Sequence, residues 1–301
     1  MANPKPKKTV KKSSVKPEVA KQAAAPAIQT ASAEPVMKGF FARKCDKNEN
    51  VLTIFKSPRI WGALIGEAIG TMLIVMFLLT LGLMQPLYLI FAVVAVYVVI
   101  AHISGANLNP IITVGMMATR RMSAIRGVLY ILAQVFGAWI GLIIVNAFRL
   151  GSGSVSELPA MTEVTGETFW SVALIELLGA VILAFCFARA LRFTRKSPLT
   201  FGFVVAGAMT LIVVIATIIA QGFFGLSDSF IFNPAAALMY QILPTTADGF
   251  GELAGLAGLA LAAYIVFPMV GGVIGFYIAD ITGRLAGAGY ICDDYTCECD
   301  K

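Results

Sequence analysis

Six apolar segments, at about 61–84, 86–103, 125–147, 168–189, 199–221 and 255–280, each run far enough to cross a lipid bilayer as a helix. At 1.5 Å of rise per residue, ~20 residues span the ~30 Å hydrocarbon core. Composition points the same way. The chain is 58% hydrophobic and 13% charged, with a mean hydropathy of +0.83, and a soluble domain needs far more polar surface than that to cover its core. Two further apolar stretches, about 109–119 and 233–243, are too short to cross. A helix of ~11 residues reaches only ~16 Å, about half the core. Such segments are expected as re-entrant half-helices, tolerated where they are buried in protein or line a cavity. The fold class that follows is an all-α membrane protein of six transmembrane helices and two re-entrant half-helices.

Charge placement sets the topology. The net charge of +6 suggests nucleic acid at first sight, but 13 of the 23 Lys and Arg residues precede Trp61, in a tail rich in Lys, Ala, Pro and Ser. Residues 1–58 hold too few large apolar side chains to fold alone and read as a disordered cytoplasmic tail. No apolar run follows the first lysines, so a signal peptide is not expected, and topology, together with attraction to anionic headgroups, explains the charge better than a nucleic-acid partner does. Spans two and three are joined through Arg120, Arg121 and Arg126, and spans four and five through Arg189, Arg192, Arg195 and Lys196. The opposite loops carry only Arg149, beside Glu157, Glu163, Asp228, Asp248 and Glu252. The positive-inside rule then puts both termini in the cytoplasm, with the chain a multi-pass protein of the cell membrane. Residues 283–301 form a second cytoplasmic tail. The cysteines (Cys45, Cys186, Cys292, Cys297 and Cys299) include no CxxC pair, so no zinc or redox signature is present. The acidic end carrying the last three reads as a solvated tail, and no metal is assigned.

The chain repeats itself. The first span holds Glu67-Ala-Ile-Gly70 and the fourth Glu176-Leu-Leu-Gly179, while Gln134-Val-Phe-Gly137 and Gly141 in the third match Pro268-Met-Val-Gly271 and Gly275 in the sixth. Between them sit Asn109-Pro110-Ile111 and Asn233-Pro234-Ala235. Repeat 1 covers about 59–148 and repeat 2 about 167–282, within one membrane domain of 59–282. Three spans per half make the repeats inverted, an arrangement that places a site near the midplane where broken helices meet.

Each Asn-Pro pair is a helix-start signal. The Asn oxygen caps the first turn, and proline suits the first helical position because its missing N–H has no partner there anyway. The Asn amide then has N–H donors to present to a pore. Two half-helices entering from opposite faces bring both donors and both positive dipole ends to one point. Water passes with its oxygen toward the two amides; a cation meets a positive field and finds nothing to replace its hydration shell. One such pair is a weak signal, but two in an inverted repeat form a strong one.

At these residues the chain resembles the major intrinsic proteins, the aquaporins and glycerol facilitators. Ala101-His-Ile-Ser-Gly-Ala-Asn-Leu-Asn109-Pro110 is similar to their first pore loop and Phe232-Asn233-Pro234-Ala235 to their second, and the likeness covers about 60–282. It implies a homotetramer with one pore per subunit. Three departures stand out. Ile111 replaces the usual Ala, Ala236 the Arg of the outer constriction, and Ala237 the Asp that follows that Arg in glycerol facilitators. The resemblance implies Leu89, Phe230 and Ala236 as filter positions. The fifth-span position is Gln221 by counting back from Asn233, or Val213 by matching Thr210-Leu-Ile.

Several residues carry two readings. Glu67 and Glu176 are intramembrane carboxylates, which default to functional groups and would suit a proton-coupled transporter; the resemblance makes each a buried acceptor for N–H groups of its pore loop. His102, the lone histidine, gates by protonation or holds the first loop by hydrogen bonding. The glycines of the spans read as close helix contacts. Asp228 colours an outer vestibule or is an ordinary loop residue. No nucleophile–base set, phosphate loop or metal cluster occurs in the spans, so neither an enzyme nor a cofactor is expected. The function expected is a passive channel for water or another small neutral solute. A coupled secondary transporter and a non-conducting scaffold of the same fold are the alternatives.

Overall fold

Prolines set where the helices begin. The computed structural model describes residues 1, 54–81, 85–151, 164–193, 196–226, 230, 232–242 and 258–286, with backbone alone at 149, 150, 192 and 240–242. Apart from Met1, all of these belong to one compact unit, Arg43–Lys301. Among the described residues its α-helices are α1 (Pro58–Leu81), α2 (Pro86–Ser104), α3 (Pro110–Ala118), α4 (Ala124–Gly151), α5 (Phe169–Ala190), α6 (Pro198–Phe224), α7 (Pro234–Ile242) and α8 (Gly258–Leu285). Five of the eight start on a proline, whose fixed φ and missing N–H cost nothing at that position. Left-handed glycines close α2 and α6: Gly105 has φ 89° and Gly225 has φ 65°.

Among the described residues six helices have the length and hydropathy to span a bilayer. Their outward faces are apolar: Leu211, Ile215 and Ile218 lie along one side of α6 with 45–62% of their surface exposed. Rows of this kind across a whole bundle belong in lipid. The other two helices, α3 and α7, have 9 residues each, about 13 Å of rise, and are half-helices. The fold is thus the six-span, two-half-helix inverted repeat expected from the sequence, with span ends within five residues of those expected. Tail residues 2–53, the acidic residues Glu157, Glu163, Asp228, Asp248 and Glu252, Arg195, and Cys45, Cys292, Cys297 and Cys299 lie outside the described residues, as do the side chains of Arg149 and Arg192.

The two halves interlock. In each half the third span packs on the first, α4 on α1 and α8 on α5, while α2 meets α6 across the halves. Glycines permit the close approach, and the two copies agree to the residue. A Cβ on Gly137 would strike the Ala68 carbonyl and one on Gly271 the Leu177 carbonyl, each one residue past the repeat's glutamate. One turn on, Gly141 and Gly275 meet the carbonyls of Met72 and Val181 in the same way. The half-helices cross over: α3 of the first half lies against α8, and α7 of the second against α4. Each half therefore depends on the other to hold its half-helix. Near its start α8 contains a π-turn, Ala262–Val266, just before Pro268, whose lack of an N–H loosens the ladder there.

Candidate pore site

Both Asn-Pro starts are capped as their sequence requires. Asn109 is extended (φ −158°) and its Oδ1 accepts the Ile111 N–H at 2.9 Å. Asn233 Oδ1 accepts from Ala235 N at 3.1 Å and from Ala236 N at 3.4 Å. Beyond the caps, the two amides reach across the repeat. Asn109 Nδ2 donates to the Phe232 carbonyl at 2.7 Å, and Asn233 Nδ2 donates to the Leu108 carbonyl at 3.4 Å. Each Asn thus holds the residue just before the other, and the half-helix starts meet tip to tip. An amide nitrogen carries two hydrogens, and among the described residues each Asn uses one of them.

The residues that offer those carbonyls are strained. Leu108 has φ 53° and Phe232 φ 46°, left-handed conformations that cost about 1–3 kcal/mol each in a non-glycine residue. Their side chains are held in matching sockets. A Cβ on Gly70 would lie 2.5 Å from Leu108 Cδ2, and one on Gly179 2.7 Å from Phe232 Cδ1 and Cζ. Gly70 and Gly179, read from sequence as helix–helix contacts, are instead seats for the side chain that precedes each Asn. The Glu-x-x-Gly interval shared by the two halves was the signal: the glycine sits one turn from the glutamate, facing the loop.

Glu67 is wholly buried and accepts four hydrogen bonds. Oε1 takes Ser104 Oγ at 2.5 Å and Asn107 N at 3.0 Å; Oε2 takes Leu108 N at 2.7 Å and Gln134 Nε2 at 2.7 Å. Gln134 Nε2 also donates to Thr113 Oγ1 at 2.9 Å, and Thr71 Oγ1 donates to the Leu108 carbonyl at 3.3 Å. Ser104, Thr71 and Thr113 were not picked out by the sequence. Glu176 is buried to 1% exposure on α5. The repeat places Ala180, Ala237 and Pro268 where the first half has Thr71, Thr113 and Gln134. In the second loop the Phe232 ring stacks on Phe230 at 6.2 Å and 25°, besides sitting on Gly179. His102 lies in the last turn of α2, exposed, and makes no hydrogen bond among the described residues.

Ile111 is fully buried, and its extra bulk lies against α8, where a Cβ on Gly272 would come within 2.9 Å of Ile111 Cγ2. Of the other expected positions, Leu89, Val213 and Phe230 are buried, and Ala236 is 6% exposed beside Val75 and Ala138. Gln221 is exposed in the last turn of α6. Depth follows from how α2 meets α6: a Cβ on Gly202 would lie 3.1 Å from both Val94 O and Val98 Cγ2. From that level Leu89 lies five residues, or ~7.5 Å, toward the far end; Val213 lies ~16 Å and Gln221 ~28 Å along α6.

Two capped half-helices meeting inside an inverted six-span bundle define a membrane-channel fold, and residues 54–281 match the major intrinsic protein family. The chain belongs to that family. The aquaporin AqpM of Methanothermobacter marburgensis is 31% identical over 94 residues, which make up 31% of this chain and 38% of that protein. Aquaporin-1 of Sus scrofa is 32% identical over 117 residues, 36% of this chain and 41% of that one. These matches take in about two fifths of each relative's length. The solved structure of the aquaglyceroporin from Plasmodium falciparum shares the fold, with a TM-score of 0.53 at 21% identity over 74% of this chain and 95% of that one.

Proposed function

We propose that this protein is a passive channel for water and other small uncharged solutes, narrowed where Asn109 and Asn233 meet. The observation that carries the reading is the reciprocal bonding of the two amides, at 2.7 Å and 3.4 Å. It leaves one N–H on each to act as a donor to a passing solute oxygen, beside two half-helix N-termini of about +0.5 charge each. A solute that can accept two hydrogen bonds passes; a cation meets a like field without compensating ligands. Pro110, Ile111, Pro234 and Ala235 fix the two starts, and Glu67 and Glu176 hold the loops behind them. Engagement of Glu67 by four donors supports this structural role over a proton-carrying one.

The outer constriction in this reading is lined by Leu89, Val213, Phe230 and Ala236, all apolar. Burial and depth support Val213 over Gln221. With no arginine at Ala236, discrimination against larger neutral solutes rests on side-chain bulk. The orientation proposed has both termini in the cytoplasm, with a homotetramer in the cell membrane. The test is the initial rate of glycerol and urea entry into proteoliposomes as concentration and an imposed pH difference are varied. A channel gives rates that rise linearly and ignore the pH difference. Rates that saturate and follow the proton gradient would mean coupled transport instead.

A further inference from the structure

A buried charge pair lies just beyond the end of α3. Arg121 Nη2 donates to Asp280 Oδ1 at 2.5 Å, with 3% of each side chain exposed, and the guanidinium carbon lies 5.4 Å from the centre of the Phe276 ring. The local backbone aims Arg121 there. Arg120 is left-handed (φ 55°) and the Arg121 N–H closes on the Met116 carbonyl at 2.8 Å, the wide turn that ends a helix and reverses its chain. The side chain that results faces α8 and sits beside the negative end of the α3 dipole.

The pair ends a seam along the whole half-helix. Ile111 lies on Gly272; a Cβ on Gly115 would sit 2.7 Å from Phe276 Cε2; and Tyr277 Oη donates to the Ala118 carbonyl at 3.0 Å. The other half-helix, α7, packs on α4, with Ala235 and Ala138 in one buried apolar cluster. In sequence the repeat puts uncharged residues where this pair would recur. Asn146 follows Gly137 at the interval by which Asp280 follows Gly271, and Thr245 follows Asn233 at the interval by which Arg121 follows Asn109. An ion pair of the Arg121–Asp280 kind therefore cannot form between those two matching positions. Burying two charges is no general route to stability, because desolvation offsets their attraction. What such a pair supplies is a fixed register, since removing one partner of a buried pair is strongly destabilising.

We propose that Arg121 and Asp280 are positioning residues: they pin α3 to α8 at its far end and so fix where Asn109 presents its amide. The functional half of this inference rests on the pore reading above; the pinning itself does not. The test is amide hydrogen exchange on the full-length protein in lipid nanodiscs, followed by mass spectrometry. It compares wild type with Asp280→Asn and with the exchanged pair Arg121→Asp/Asp280→Arg. We expect exchange across 110–118 to speed up about tenfold or more in Asp280→Asn, with 169–190 unchanged, and to slow again in the exchanged pair. The glycerol-to-water permeability ratio in liposomes should shift and return with it. Wild-type exchange in Asp280→Asn, or a rise spread evenly over all helices, overturns the proposal. Should Asp280→Asn not fold, Arg121→Lys is read by the same criterion, since its ammonium lacks the planar reach over Phe276. Silent wild-type liposomes would sink the pore reading and leave the exchange result standing. Conducting liposomes with unchanged exchange would sink the pin alone.

Discussion

Replacing Glu67 with Gln tests whether hydrogen bonding by this carboxyl group holds the first pore loop. The substitution keeps the shape and exchanges one acceptor oxygen for an NH2 group. If the NH2 takes the place of Oε1, it faces Ser104 Oγ, which can turn to accept, and the Asn107 N–H, which cannot. If it takes the place of Oε2, it faces Gln134, whose amide can flip, and the Leu108 N–H. A flipped Gln134 withdraws its bond from Thr113. Either way one backbone N–H is stranded at a site with no exposure, a loss of about 1–3 kcal/mol, and bonds to a charged acceptor become ordinary ones at about 1 kcal/mol apiece. Relief of the buried charge offsets part of this, leaving a net loss of about 2–4 kcal/mol. Thermal unfolding in detergent, followed by tryptophan fluorescence, should show a clearly lower midpoint, and water permeability per folded protein should fall because the strained Leu108 turn is no longer held. An unchanged midpoint together with unchanged permeability would refute the reasoning.

Gly179→Ala puts a methyl into the Phe232 ring and should lose about 1–3 kcal/mol or more, with a lower unfolding midpoint and reduced water flux; Gly207→Ala, where nothing lies within 4 Å, is the control. Ile111→Ala opens a cavity against Gly272 and should lose about 2–5 kcal/mol in the same unfolding assay. Ala236→Arg adds bulk and positive charge at the proposed constriction and should slow glycerol and urea entry more than water in liposome assays. His102→Ala should move stability by less than about 0.5 kcal/mol, as expected for an exposed side chain without a hydrogen bond.

Helix positions were legible because the signals are local: a proline opens five helices, and Asn-Pro both caps and starts the two half-helices. The inverted repeat was legible from fixed intervals between glutamate, glycine and Asn-Pro. The uses of the glycines were not, because a small residue permits close approach without saying to what. Gly137 and Gly271 meet helix backbone, whereas Gly70 and Gly179 seat a loop side chain. The left-handed turns at Leu108 and Phe232 carry no warning in residue type, since neither is a glycine or asparagine; only the sockets and the hydrogen bonds around them explain the strain. Arg121 and Asp280 are 159 residues apart, and Arg121 reads in sequence as one more positive charge setting topology. The choice between Val213 and Gln221 turns on loop length, which motif counting does not fix.

The most direct test of the central claim is stopped-flow light scattering of proteoliposomes after an osmotic shock, comparing wild type, Asn233→Asp and empty liposomes. A pore narrowed at the paired amides predicts fast shrinkage in wild type that is lost in Asn233→Asp, where a carboxylate replaces the donor. Shrinkage no faster than in empty liposomes, or equally fast in the variant, would contradict it.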